Sequence, residues 1–141
     1  MNSPAAPPIH SFLAQQVRDG ASAGQVAALV GSTWEHIQTA LAPVIGQRGV
    51  AALYKRSLHL AAKAHPWLAA AQGSSPGEDF ALLRAESAKR SSAEAATAGG
   101  ALLLSFHELV GSLIGPSLSG QLLGEVWIKF FSGSSAQDPS P

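Results

Sequence analysis

The chain contains no cysteine and few charged or aromatic residues. The absence of Cys among its 141 residues excludes disulfide bonds, thiolate metal sites and cysteine nucleophiles, and predicts a reducing, cytoplasmic environment. Only 13% of the residues are charged, and nine basic residues balance nine acidic ones. A dedicated nucleic-acid-binding protein needs a strong positive field. We therefore expect no nucleic-acid partner.

Long hydrophobic runs and the signature motifs of enzymes are also missing. The charge-free run 109–124 is short for a bilayer span and is interrupted by Gly115-Pro116, so no transmembrane helix or membrane partner is predicted. There is no P-loop, no dinucleotide-binding glycine fingerprint and no Gly-x-Ser-x-Gly elbow. Glu35-His36 and His107-Glu108 are adjacent pairs, whereas two-metal helical bundles use Glu-x-x-His. We expect no enzyme, no cofactor and no metal site.

Apolar residues make up 46% of the chain and recur every three or four positions, the period of an amphipathic helix. No alternating run long enough for a β-strand is present. These patterns predict an all-α fold, a helical bundle with mainly antiparallel helices. We expect a single domain over residues 10–131, between a disordered leader at 1–9 and a disordered tail at 132–141.

Capping signals and prolines predict where the helices begin and end. Ser22-x-x-Gln25 and Ser91-x-x-Glu94 have the form of capping boxes. Only glycines interrupt residues 80–114, so that stretch is predicted as either one helix or two. Pro43 predicts a kink near residues 40–42, and Pro66 ends the helix before it.

Two apolar stripes are predicted to be buried. The stripe on the second helix consists of Val26, Val30, Thr33, Ile37, Leu41 and Val44. The stripe on the later helix consists of Leu102, Phe106, Leu109 and Leu113. Each is expected to line the core along its whole length.

Two segments of the sequence also resemble each other. Residues 34–54 resemble residues 107–127, about 73 positions later, in the order of their apolar, acidic and proline positions. Extended upstream, this resemblance predicts a duplicated three-helix unit, with copies at about 10–71 and 78–131. A duplicated helical unit is typical of a scaffold, and it leaves the chemistry open.

Residues 107–113 read His-Glu-Leu-Val-Gly-Ser-Leu. This segment resembles the phosphoacceptor helix of histidine-phosphotransfer domains and the dimerisation helix of sensor histidine kinases. The resemblance implies that His107 accepts the phosphoryl group while Glu108 orients the imidazole or takes its proton. Val110 stands where both families carry a basic residue. A histidine phosphotransfer protein is therefore the alternative function.

Two sets of residues are candidates for binding a partner. Lys55, Arg56, His59 and Lys63 fall on neighbouring positions of one helix and form a basic stripe that would suit an acidic protein. The last helix is apolar on more than one side, which makes its aromatic residues candidate anchors for a partner or a second subunit: Trp127, Phe130 and Phe131.

These features favour a non-enzymatic protein-interaction or oligomerisation module, an adaptor or regulator in bacterial signalling. The bacterial assignment rests on the richness in Ala and Gly. We expect a homo-oligomer, a dimer. A third hypothesis is a helical sensor for a small apolar ligand. The ligand would enter between helices where Gly99, Gly100 and Gly111 have no side chain to fill the space.

Overall fold

A computed structural model describes residues 8–73 and 76–132, and all regular structure in these residues is helical. The elements are α1 (Ile9–Arg18), α2 (Ala23–Ala62), a 3-10 helix (Pro66–Ala71), α3 (Pro76–Ala88), α4 (Ser92–Ile114) and α5 (Pro116–Phe131). The predicted all-α bundle is confirmed for this part of the chain. Ile9, which was assigned to the leader, begins α1 and is completely buried. The rest of the predicted leader up to residue 7, and the predicted tail beyond Ser132, lie outside the described residues.

Capping boxes fix the starts of the two long helices. The Gln25 backbone N–H donates to Ser22 Oγ at 3.1 Å, and the Ser22 N–H donates to Gln25 Oε1 at 2.8 Å. Ser91 and Glu94 repeat this arrangement at the start of α4. Residues 80–114 therefore form two helices, because the cap at Ser91 satisfies N–H groups that would otherwise lack partners.

The bend in α2 lies at Gly46 rather than at the predicted residues 40–42. Gly46 has φ 82° and ψ 158°, whereas Pro43 is accommodated inside the helix. This backbone conformation is open almost only to glycine, so the chain turns at the glycine and not at the proline. Gly115, with φ 88° and ψ 150°, makes the same bend between α4 and α5. We call residues 23–45 the first arm of α2 and residues 47–62 its second arm.

The first arm of α2 and α4 run parallel to each other through the centre of the fold. Gly99 is so close to Val30 that an added Cβ would lie 2.9 Å from its side chain. Further along both helices, the rings of Trp34 and Phe106 meet with centroids 4.7 Å apart. The two bends consequently lie at the same end of the molecule. The central pair of the bundle is thus parallel, and the predicted arrangement of mainly antiparallel helices is not confirmed.

The short helices α1 and α3 each pack on one of the two central helices. His10 of α1 lies over Gly100 of α4, and Arg84 of α3 lies over Gly31 of α2. Most of the packing of α1 is against α4, and most of the packing of α3 is against α2. The helix that precedes each long element therefore packs mainly on the other long element.

The core is centred on an aromatic cluster. Trp34 packs edge-on against Tyr54 at 4.9 Å and against Phe106 at 4.7 Å, and Phe80 completes the group at 5.4 Å from Tyr54. Such pairs add to the stabilisation that comes from burying their area. The cluster joins α2, α3 and α4 in one core.

Both predicted core stripes run past the core. The first stripe is buried as far as Leu41. The second is buried as far as Phe106, and its next member, Leu109, is half-buried. Val44 is 49% exposed and Leu113 is 60% exposed, so the prediction that these two residues are buried is wrong. Each lies one turn beyond the last buried residue before its bend, which is Leu41 in α2 and Val110 in α4.

Several features recur 69 residues apart. The capping residues Ser22 and Ser91 are separated by this distance, and so are the bend glycines Gly46 and Gly115. The spacing of about 73 predicted from sequence would instead match Gly115 with a helical residue of α2. Eight buried residues of the first arm also have buried counterparts 69 positions later: Val26, Ala27, Val30, Gly31, Thr33, Trp34, Ile37 and Leu41.

Of the helices in the described residues, only α4 is long and apolar enough to cross a membrane by length and composition. The same apolar residues supply much of the core, including Leu102, Leu103 and Phe106. Burial in the bundle thus accounts for part of the apolar character of α4, because 39% of its apolar window is buried.

Candidate functional site

A row of basic side chains follows the outer side of the second arm of α2. Arg56, His59 and Lys63 are all exposed, and their spacing of three and four residues places them on one helix face. We call these three residues the basic row. Lys55, the fourth member of the predicted stripe, is half-buried at the edge of the row.

No member of the basic row forms an ion pair within the part of the chain that the structure describes. The two ion pairs found there join Arg84 to Glu35 at 2.8 Å and Lys89 to Glu86 at 3.1 Å. Ion pairing with acidic residues of the same chain, which would occupy these charges without a partner, therefore does not involve the basic row among these residues. The row presents its charges to solvent.

A buried polar cluster holds the inner side of this arm. The Tyr54 hydroxyl donates to the Ala71 carbonyl at 3.3 Å, and the Gly73 N–H donates to Asp79 Oδ1 at 2.6 Å. Asp79 is only 1% exposed, and its Oδ2 accepts no hydrogen bond from the residues that the structure describes. These contacts attach the second arm to the 3-10 helix and to α3.

Burial also changes the acidity of both groups. It raises the pKa of the Asp79 carboxyl above its usual value, although the Gly73 N–H and the Lys55 charge pull that pKa down. Burial likewise raises the pKa of the Tyr54 hydroxyl, and the nearby Asp79 charge adds to this effect. Sequence analysis missed the cluster. Two adjacent acidic residues in the first turn of a helix are typical of a solvated pair that favours the helix N-terminus, so the sequence pattern does not indicate a buried carboxyl.

The predicted aromatic anchors of α5 are mostly turned toward their own chain. Phe130 is 2% exposed, and its ring centroid lies 4.9 Å from that of Phe12. Phe131 is half-buried and packs edge-on against Phe12 at 5.3 Å. Trp127 is half-buried as well. Phe130 therefore belongs to the core, and the other two rings are only partly exposed.

The most exposed apolar side chain of α5 is Ile128, at 68%. Sequence analysis did not single it out, although Ile128 lies three residues after Glu125, on the charged side of the helix. No hydrogen bond, ion pair or ring contact within the described residues joins the aromatic residues of α5 to the basic row.

The candidate phosphoacceptor His107 is half-buried on α4. Its ring lies edge-on to Trp127, with centroids 6.0 Å apart, and its Nδ1 is shielded from solvent. Glu108 is exposed on the adjacent face. The Trp127 indole therefore covers part of the His107 imidazole. The phosphotransfer role of His107 stays a prediction.

The three glycines proposed to admit a ligand differ in their surroundings. Gly99 and Gly100 allow close approach of Val30 and His10, so both serve helix packing. Gly111 has no neighbouring side chain within 4 Å of an added Cβ. Beside Gly100, a shallow cleft of about 140 Å³ lies between α1 and α4, lined by His10, Ala14, Val17, Ala93, Ala96 and Thr97.

A second cleft, of about 200 Å³, lies between the first arm of α2 and α5. Its polar lining consists of His36, Thr39, Glu125 and Lys129. These groups can donate and accept hydrogen bonds. Within the described residues, no group of three or more His, Asp or Glu side chains is placed to hold a metal ion.

Comparison with known protein families, with curated proteins and with solved structures finds no match for this chain.

Proposed function

We propose that this chain is a non-enzymatic helical interaction module, a cytoplasmic adaptor or regulator in bacterial signalling that binds an acidic surface of a partner protein. The basic row is its docking surface. The observation that carries the proposal is the exposure of Arg56, His59 and Lys63 on one helix face without an ion pair in the described chain.

The rigidity of the second arm supports this role. Its inner face is anchored by buried residues, including Tyr54 and Leu58, so the row is presented on a fixed backbone. A pre-organised surface loses less conformational freedom on binding than a flexible one. Charges at the surface also steer a partner of opposite sign, and they raise the association rate more than they lengthen the lifetime of the complex.

A duplicated helical unit is the architectural part of the proposal. The shared spacing of caps, bends and buried residues supports it. The outer surfaces of the two halves differ, because Arg56 and His59 correspond to Glu125 and Ile128 at the same spacing of 69. A repeated scaffold whose halves carry different outer side chains fits a protein that acts through its surfaces.

The test is a charge reversal in the basic row. The double substitution Arg56→Glu and Lys63→Glu should weaken binding of the partner by about tenfold or more, since each opposed surface pair is worth up to about 1 kcal/mol. Partners are captured from lysate with the tagged chain and quantified by mass spectrometry. The dissociation constant of the captured protein is then measured at low and high salt.

The matched control is the double substitution Arg18→Glu and Lys129→Glu, which makes the same change of net charge at two other exposed positions. A partner that is lost with the reversal in the basic row and kept with this control supports the proposal. Equal binding by both variants, or an affinity that is insensitive to salt, contradicts it.

A further inference from the structure

The end of the molecule that carries the two bends exposes an aliphatic surface. Val44 on α2 and Leu113 on α4 lie one turn beyond the last buried residues of two parallel helices, and they are 49% and 60% exposed. Leu118, in the first turn of α5, is 39% exposed. We call Val44, Leu113 and Leu118 the bend surface.

The bend surface has almost no charge around it. Residues 109–124 contain no charged residue, and on the α2 side Arg48 is the only one between residues 40 and 54. Apart from Arg48, which is exposed, the exposed neighbours that can form hydrogen bonds are neutral: Gln47, Ser112, Ser117 and Gln121. An apolar centre with a neutral polar rim is the usual composition of a protein–protein contact.

Val44 and Leu113 are also equivalent to each other in the fold. Each stands two residues before a bend glycine, at the same spacing of 69 that separates the bends. The two side chains therefore project from corresponding points of two parallel helices. Isolated exposed aliphatic residues are common on proteins, but equivalent ones that extend both core stripes at one end form a patch.

We propose that a second copy of this chain docks on the bend surface, end to end, to form a dimer. The scarcity of charge on the bend surface is the reason for choosing a second copy as the binding partner. A surface without charge can face itself without repulsion and without burying an unpaired ion, which is what an isologous contact requires. A side-by-side pairing through the basic row would instead bring like charges together.

A lipid surface fits the bend surface less well. Membrane-binding faces carry Trp or Tyr at the interface and clusters of basic residues beside the apolar ones. The chain has no aromatic residue between 109 and 124, none between 35 and 53, and only Arg48 as a nearby cation. The dimer goes beyond the proposed function and uses different residues, so it leaves both copies of the basic row open to a partner.

The test is the mass of the purified full chain in solution, measured by sedimentation equilibrium over a wide concentration range. The wild type should reach twice the 14.4 kDa mass of one chain. Leu113→Glu, and separately Val44→Glu, should each raise the dimer dissociation constant at least about tenfold, because the carboxylate would be buried without a partner.

Ile128→Glu is the matched control, since Ile128 is the more exposed residue but lies four turns from the bend on α5. This variant and the charge reversal of the basic row should both remain dimeric. Circular dichroism checks that each variant keeps its helical content. Leu113 and Val44 are exposed, so substitution at either position is expected to leave the fold intact.

Three results would overturn the proposal. The first is a wild type that stays at 14.4 kDa at every concentration. The second is a dimer that Ile128→Glu dissociates and Leu113→Glu does not. The third is a monomeric wild type that sediments with uncharged phosphatidylcholine vesicles while Leu113→Glu does not, which would assign the bend surface to lipid.

Discussion

Asp79 illustrates how the fold changes the character of a single residue. In the sequence it is one of two adjacent acids in the first turn of a helix, where a solvated carboxylate is favourable. In the structure it is 1% exposed and accepts a hydrogen bond from the Gly73 N–H. Burial raises the pKa of this carboxyl in spite of that hydrogen bond. Ionisation of Asp79 therefore opposes folding.

This direction gives a pH prediction. The folded chain holds the Asp79 proton more tightly than the unfolded chain, so its contribution to stability is complete below the unfolded pKa and is lost as pH rises through the raised folded pKa. Asp79→Asn cannot ionise. The free energy of unfolding of the wild type should therefore fall relative to that of Asp79→Asn as the pH rises above about 4.

Urea unfolding of both proteins at several pH values measures this difference, in which the other titrating groups largely cancel. Asp19→Asn makes the same chemical change at an exposed position in the turn after α1 and serves as the control. A difference between wild type and Asp79→Asn that is constant over this range would exclude the predicted linkage.

His107 also depends on its tertiary neighbour. Its sequence context, next to Glu108 and ahead of Gly111-Ser112, suggested a surface imidazole with a carboxylate beside it. In the structure the ring instead meets Trp127 of α5. A ring contact between residues 20 positions apart cannot be read from a local motif, because it depends on how α5 folds back along α4.

At the level of the helices, the two glycine bends decide where each long element turns. Pro43 is the strongest local signal for a break in α2, yet the helix continues through it to Gly46. A proline removes one N–H and disfavours helix in the residue before it, and a surrounding bundle can tolerate that cost. A positive φ, in contrast, excludes nearly every residue except glycine.

The bend at Gly115 predicts opposite effects for two similar substitutions. Gly115→Ala should lower the free energy of unfolding by about 1–3 kcal/mol, because its φ of 88° with ψ of 150° strains any side chain. Gly111→Ala should raise it by about 0.5–1 kcal/mol, because Gly111 is helical and an added Cβ meets no neighbour there.

Both substitutions reduce the freedom of the unfolded chain equally, so each controls for the other. Thermal or urea unfolding followed by circular dichroism gives the two values. Destabilisation of the same size at both positions would mean that the bend conformation is not what glycine provides at residue 115.

At the level of the whole molecule, neither half of the chain contains a complete core. Trp34 of the first half packs against Phe80 and Phe106 of the second, and α1 lies mainly on α4. The two halves are thus joined by their largest buried side chains. Their folding should be a single cooperative event.

This interdependence predicts the behaviour of separated halves. Fragments 1–73 and 74–141 should each lack a cooperative thermal transition on their own, because the aromatic cluster of each would be exposed. Mixing them should restore helical content and a cooperative transition. Circular dichroism of the two fragments, alone and mixed, provides the measurement. A fragment that unfolds cooperatively by itself would show that its half has an independent core.

The sequence by itself determined the helical class and the helix starts. The apolar period of three to four residues is a property of each helix alone, and the capping boxes at Ser22 and Ser91 act within four residues. Exposure of Arg56, His59 and Lys63 was likewise readable, because charged side chains on one helix face remain in solvent unless they are paired.

Only the tertiary structure decided where burial stops. Val44 and Leu113 continue the same stripes as Leu41 and Val110, and no local signal separates the buried pair from the exposed one. Phe130 and Asp79 are buried because α1, α3 and the 3-10 helix pack across the long helices, over contacts distant in sequence. Periodicity states which side of a helix is apolar, but the extent of the neighbouring helices sets how far along that side water is excluded.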